Sequence, residues 1–170
     1  MLDKIHYAPR TKRIGLIVPS SNTNAEPDCL LLCPTGITIH SARSGGYDVD
    51  AIPDSTKMRK FVRQSLDQNC KDLMDARVDL IAYGCTSATL SDGPAFDAAF
   101  CSKLTEMTGR PAVTPAGALV EAIQYVGAKQ VACTTPYVKT LSQEAVSYLT
   151  DSGIDVVNEV SFNQELNSLE

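Results

Sequence analysis

Cys85 sits in Tyr83-Gly84-Cys85-Thr86-Ser87, directly after an apolar run and directly before small polar residues. A thiol in that setting is a candidate nucleophile. Backbone N–H groups and the dipole of a helix starting near Ala88 or Asp92 would favour its thiolate. Thr86 and Ser87 can donate hydrogen bonds to a carboxylate or an oxyanion. Gly84 would let the backbone approach a substrate closely. The competing reading is a small buried cysteine at a strand end, because free cysteine is among the most buried residue types. The other five cysteines read as structural. Cys29 and Cys33 flank Leu30-Leu31-Leu32 and suggest core packing. Cys70 lies on an apolar helical stripe, Cys101 in mid-helix and Cys133 inside a strand.

Two further segments carry polar chemistry. Pro19-Ser20-Ser21-Asn22-Thr23-Asn24 offers hydroxyls and amides but no charge. Asn22 can give two donors and an acceptor to a carboxylate, or the run can cap the next helix. It lacks the G-x-x-x-x-G-K-[ST] pattern of a phosphate loop. Tyr137, in Thr134-Thr135-Pro136-Tyr137, can hydrogen-bond a carboxylate or pack against the following helix. His6 lies near the N-terminus and His40 in a strand, so neither is placed as the base of a Cys–His dyad. The thiol must be activated by its own loop or work with another group.

The elements that would position these residues alternate. Strands are expected over 13–18, 37–42, 78–83, 112–114, 130–134 and 155–160. Helices are expected over 26–32, 54–77, 115–126 and 139–152, and another runs through Met107 after a turn at Asp92-Gly93-Pro94. The helix over 54–77 is the clearest, with Met58, Phe61, Val62, Leu66, Cys70, Leu73 and Met74 on one face, and Asp54 or Ser55 able to cap it. This rhythm predicts an α/β fold with a parallel sheet flanked by helices. Loops at the carboxyl ends of such strands face the ligand crevice, and three of them (19–24, 84–89 and 134–137) are polar or small. The chain divides into two similar lobes, 1–112 with Cys85 and 113–170. The second is shorter and ends without a closing element, which predicts an incomplete lobe and exposed apolar surface open to homo-oligomer formation.

Composition narrows the function classes. The 170 residues carry a formal charge of −5 and no basic run, so nucleic acid is a poor partner. No stretch approaches the ~20 apolar residues of a membrane span, and the N-terminus has no apolar signal region. A cytoplasmic location follows. Six cysteines without a C-x-x-C pair, with two histidines, argue against zinc and for free thiols in a reducing compartment.

Taken together the motifs resemble a family. Gly15-Leu16-Ile17-Val18-Pro19-Ser20-Ser21-Asn22-Thr23 followed by Glu26-Pro27, then Tyr83-Gly84-Cys85-Thr86-Ser87-Ala88, Thr135-Pro136-Tyr137 and Asn163-Gln164-Glu165-Leu166 resemble, in order, the motifs of maleate cis-trans isomerases. These belong to the aspartate/glutamate racemase superfamily, with arylmalonate decarboxylase. The resemblance implies two α/β lobes with the site between them, no cofactor, no metal and a small dicarboxylate substrate. It implies that Cys85 is the first of two catalytic cysteines, adding as thiolate to maleate so that the adduct rotates and eliminates to fumarate. It implies that Asn22, Tyr137 and Asn163 hold the carboxylates, helped by backbone N–H groups near Ser21 and Ser87. The family's second cysteine lies beyond Asn163, and no residue here matches it; Cys133 falls too early. That predicts a truncated chain. The alternatives are a two-cysteine racemase or related decarboxylase of the same superfamily, and a carboxylate-binding protein without catalytic competence.

Overall fold

The computed structural model describes residues 12–45 and 65–164. The strand β1 (Lys12–Pro19) is central and buried from Gly15 to Val18, as a near-continuous apolar run in a parallel sheet requires. It is flanked by β2 (Ile37–Ser44) on one side and β3 (Leu80–Tyr83) on the other, with β4 (Ala112–Val113) beyond β3. All pairings are parallel, with Ile17 opposite both Ala42 and Tyr83. Because β2 lies to one side of β1 and β3 to the other, the chain changes direction at β1. The carboxyl ends of β1 and β3 therefore border the crevice where such sheets bind ligands.

The helix α1 (Ala25–Leu32) follows β1. Its residues Leu30, Leu31 and Leu32 are 64%, 84% and 79% exposed, and Cys29 and Cys33 are only partly buried. The core packing expected of this cysteine pair is not found: α1 contacts β2 but none of its residues is buried. The helix α2 (Leu66–Asp75) buries Leu66, Cys70 and Leu73, as their spacing predicts. It does not run back through Ser65, whose φ of 63° is left-handed, so the single helix expected over 54–77 is broken there. Met58, Phe61, Val62 and the caps Asp54 and Ser55 lie outside the described residues.

A short helix, α3 (Thr86–Leu90), starts immediately after Cys85. It is followed by α4 (Gly93–Thr108), which Gly109 ends in the left-handed conformation with its N–H on the Thr105 carbonyl at 2.8 Å. Then come α5 (Pro115–Tyr125), β5 (Gln130–Thr135), α6 (Lys139–Asp151) and β6 (Asp155–Ser161). β5 and β6 pair in parallel as a separate two-stranded sheet with α6 on one face. Val157, Val160 and Phe162 are exposed. The main core lies under the four-stranded sheet, where Tyr83 meets Phe100 edge-on at 4.9 Å. A second cluster of Leu90, Ala116, Ala145 and Tyr148, with Val120 and Tyr137 against it, joins α3, α5 and α6.

Candidate active site

The Pro19 and Cys85 loops leave adjacent strands at the same edge of the sheet. Gly84 holds them together: its N–H donates to the Ile17 carbonyl at 2.7 Å. A Cβ at Gly84 would lie 3.1 Å from Val18 Cγ1 and 3.2 Å from the Ile17 carbonyl oxygen. The glycine allows the close approach of β3 to β1.

Cys85 occupies the N-cap position of α3 with extended backbone (φ −130°, ψ 99°). Its side chain is buried, and Sγ lies 3.7 Å from Ser87 Oγ. Thr89, fully buried, donates to the carbonyls of Thr86 at 3.0 Å and Cys85 at 3.3 Å, which ties the thiol's backbone to the first turn. Burial pushes the Cys85 thiol above its ordinary value, and the Ala88 backbone N–H and the Ser87 hydroxyl pull it down without offsetting that. The loop does supply the expected donors, but desolvation disfavours the charged form more strongly.

Asn22 does what the capping reading of its loop required. Its Oδ1 accepts from the N–H groups of Asn24 at 3.0 Å and Ala25 at 2.9 Å, opening α1. The side chain is thereby fixed with its amide NH2 available as donor. Ser21 lies one residue before it, half-buried. The loop also has a charge that its own sequence lacks. Arg43, from the end of β2, donates Nη1 to the carbonyls of Ser20 and Asn22 and pairs through Nη2 with Glu26.

Tyr137 follows β5 and packs on the cluster formed by Leu90, Ala116, Ala145 and Tyr148. Burial, followed by repulsion from the negative forms of Cys85 and Cys133, raises its hydroxyl to about 12. Tyr137 is thus within electrostatic reach of Cys85 and keeps its proton at neutral pH. Asn163 is drawn to the same place through the backbone: its N–H donates to the Tyr137 carbonyl at 3.1 Å. Its φ is 59°, and its Oδ1 accepts from the Lys139 N–H at 3.2 Å. Ser161 Oγ also bonds the Tyr137 carbonyl. Thr86 and Ser87 stand in the first turn of α3 beside Cys85.

The family model described as arylmalonate decarboxylase matches residues 14–167. A maleate isomerase of Geobacillus stearothermophilus is 33% identical over 162 residues, covering 88% of this chain and 62% of that relative. The chain belongs to the maleate isomerase/arylmalonate decarboxylase family. Among solved structures, the maleate isomerase Iso of Pseudomonas putida S16, as a cysteine-to-alanine variant with maleate, superposes with a TM-score of 0.78 at 32% identity. The match covers 91% of this chain and 65% of that one. A cysteine-to-serine mutant of Nocardia farcinica maleate cis-trans isomerase, with a covalently bound succinylcysteine intermediate, superposes with a TM-score of 0.79 at 26% identity, over 92% and 65% of the two chains. The chain thus spans slightly less than two thirds of the length of these family members.

Within this family member, the structure brings Cys85, Thr86, Ser87, Ser21 and Asn22 to the carboxyl edge of the four-stranded sheet. Tyr137 and Asn163 come to the corresponding edge of the β5–β6 sheet. Sequence reasoning missed Arg43 and Thr89. An arginine in an alternating edge strand reads as solvent-facing, and a threonine in a small polar run reads as loop. Among the described residues no group of three or more His, Cys, Asp or Glu is arranged to hold a metal ion, and no helix is long and apolar enough to cross a membrane.

Proposed function

We propose that the protein catalyses cofactor-independent cis-trans isomerisation of maleate to fumarate, with Cys85 as the adding thiol. The thiolate sulfur forms a bond to one olefinic carbon, and the other olefinic carbon takes up a proton. The former double bond is then a single bond, free to rotate. Loss of that proton and expulsion of the thiolate restore the double bond in the trans geometry, and the cycle is balanced in atoms and electrons. Asn22, through its amide NH2, with Ser21, Thr86, Ser87, Tyr137 and Asn163, would hold the two carboxylates. Tyr137, protonated up to about pH 12, suits a hydrogen-bond donor to an anion.

The observation that supports this reading is a buried cysteine directly after β3, at the edge of the sheet where the Asn22 loop leaves the neighbouring β1. It is supported by the 33% identity to a maleate isomerase and by the succinylcysteine carried by the Nocardia farcinica relative. Proton NMR of maleate incubated with folded, reduced protein tests it. Fumarate signals growing with protein concentration are expected, and none would sink the proposal. A second reading, dicarboxylate binding without turnover, is favoured by the upward pressure of burial on the Cys85 thiol. It predicts maleate-dependent shifts in the protein spectrum and no fumarate.

A further inference from the structure

Arg43 reaches the Asn22 loop from the side of β2. Its Nη1 donates to the carbonyl oxygens of Ser20 at 3.0 Å and Asn22 at 3.1 Å, and its Nη2 pairs with the Glu26 carboxylate on α1. Two carbonyls of alternate residues are therefore turned toward one guanidinium. In a trans peptide the C=O and the following N–H point in opposite directions. The N–H groups of Ser21 and Thr23 are accordingly turned away from Arg43. In the strand order β2-β1-β3, β1 and its loop lie between β2, which carries Arg43, and β3, which leads into Cys85. Asn22 Oδ1 is already held by the Asn24 and Ala25 N–H groups, so its amide NH2 is the remaining polar end of that side chain.

We infer that Arg43 is a positioning residue, which fixes the conformation of the 20–23 loop and with it the Asn22 amide NH2 and the Thr23 N–H, so that they can meet a substrate carboxylate bound beside Cys85. The inference rests on the proposed function. The role needs a planar fork that spans two carbonyls and a carboxylate at once, which a lysine ammonium does not provide. Glu26 neutralises the guanidinium, so Arg43 acts through the loop rather than as a bare charge.

The test uses the full chain and uncharged iodoacetamide, reading Cys85 alkylation by peptide mass mapping at increasing maleate. In the wild type, maleate slows alkylation of Cys85. In Arg43→Gln the maleate concentration for half-protection rises about tenfold, the equivalent of one well-aligned hydrogen bond to a charged group, while the maleate-free alkylation rate stays within about twofold. Arg43→Lys falls between the two. A role in folding alone would move the maleate-free rate and leave half-protection unchanged. Wild-type half-protection in Arg43→Gln overturns the inference. Should that variant not fold, a wild-type value in Arg43→Lys overturns it equally. No protection in the wild type itself defeats the proposed function, and this inference with it.

Discussion

Tyr148 on α6 donates its phenolic hydrogen to Oδ2 of Asp97 on α4 at 2.8 Å, with both residues buried. The bond links the helix that follows β5 to the helix that packs under the four-stranded sheet. Tyr148 belongs to the same apolar cluster as Leu90 at the end of α3 and Tyr137 beside the site. The bond therefore ties α4 to the cluster against which Tyr137 packs. Asp97 Oδ1 is buried without a hydrogen-bond partner, so Oδ2 depends on Tyr148.

Tyr148→Phe removes the donor and leaves the Asp97 carboxylate buried and unpaired. A loss of about 1–3 kcal/mol is expected. Urea unfolding followed by circular dichroism measures it. A variant as stable as the wild type would show that the bond contributes nothing to joining α4 and α6.

Gly84→Ala places a methyl 3.2 Å from the rigid Ile17 carbonyl oxygen and 3.1 Å from Val18 Cγ1. Either β3 moves away from β1 or the contact stays strained, at about 1–3 kcal/mol. Since Cys85 is the next residue, its alkylation rate should also change. Stability and Cys85 reactivity both equal to the wild type would contradict the packing role assigned to this glycine.

Stability should fall as the pH rises past the ordinary thiol value. Burial raises Cys29, Cys70, Cys85, Cys101 and Cys133 above 9.0 and Tyr137 above 10.0. Below those values folded and unfolded chains are both protonated, and the contribution is fully present. Above them the unfolded chain releases protons that the folded chain retains, so unfolding is favoured until the folded groups titrate in turn. Urea midpoints taken from about pH 8 to about pH 10 should decline. A flat or rising series would contradict the raised values.

The α/β rhythm was legible because the buried strands β1 and β3 are apolar runs, and because Leu66, Cys70 and Leu73 recur at helical spacing. What escaped has physical reasons. The helix α3 has five residues and no period to detect. The left-handed Ser65 carries no glycine to mark it. Leu30, Leu31 and Leu32 suggested core, yet exposure depends on what lies opposite, which local sequence does not encode. The polar loop at Asn22 was visible as a candidate site, whereas Arg43 reaches it through β-pairing of distant segments. For Cys85, position was readable from the strand-end motif. The balance between burial and the donors at Ser87 and Ala88 was not, because burial depends on the packed core.

The central claim is that Cys85 adds to maleate. Its direct measurement is the growth of fumarate proton signals in maleate solutions containing wild-type protein or Cys85→Ala at equal concentration of folded chain. The account predicts fumarate with the wild type and none above the protein-free control with Cys85→Ala. Fumarate formed as fast by Cys85→Ala, or none from folded and reduced wild type, would contradict it.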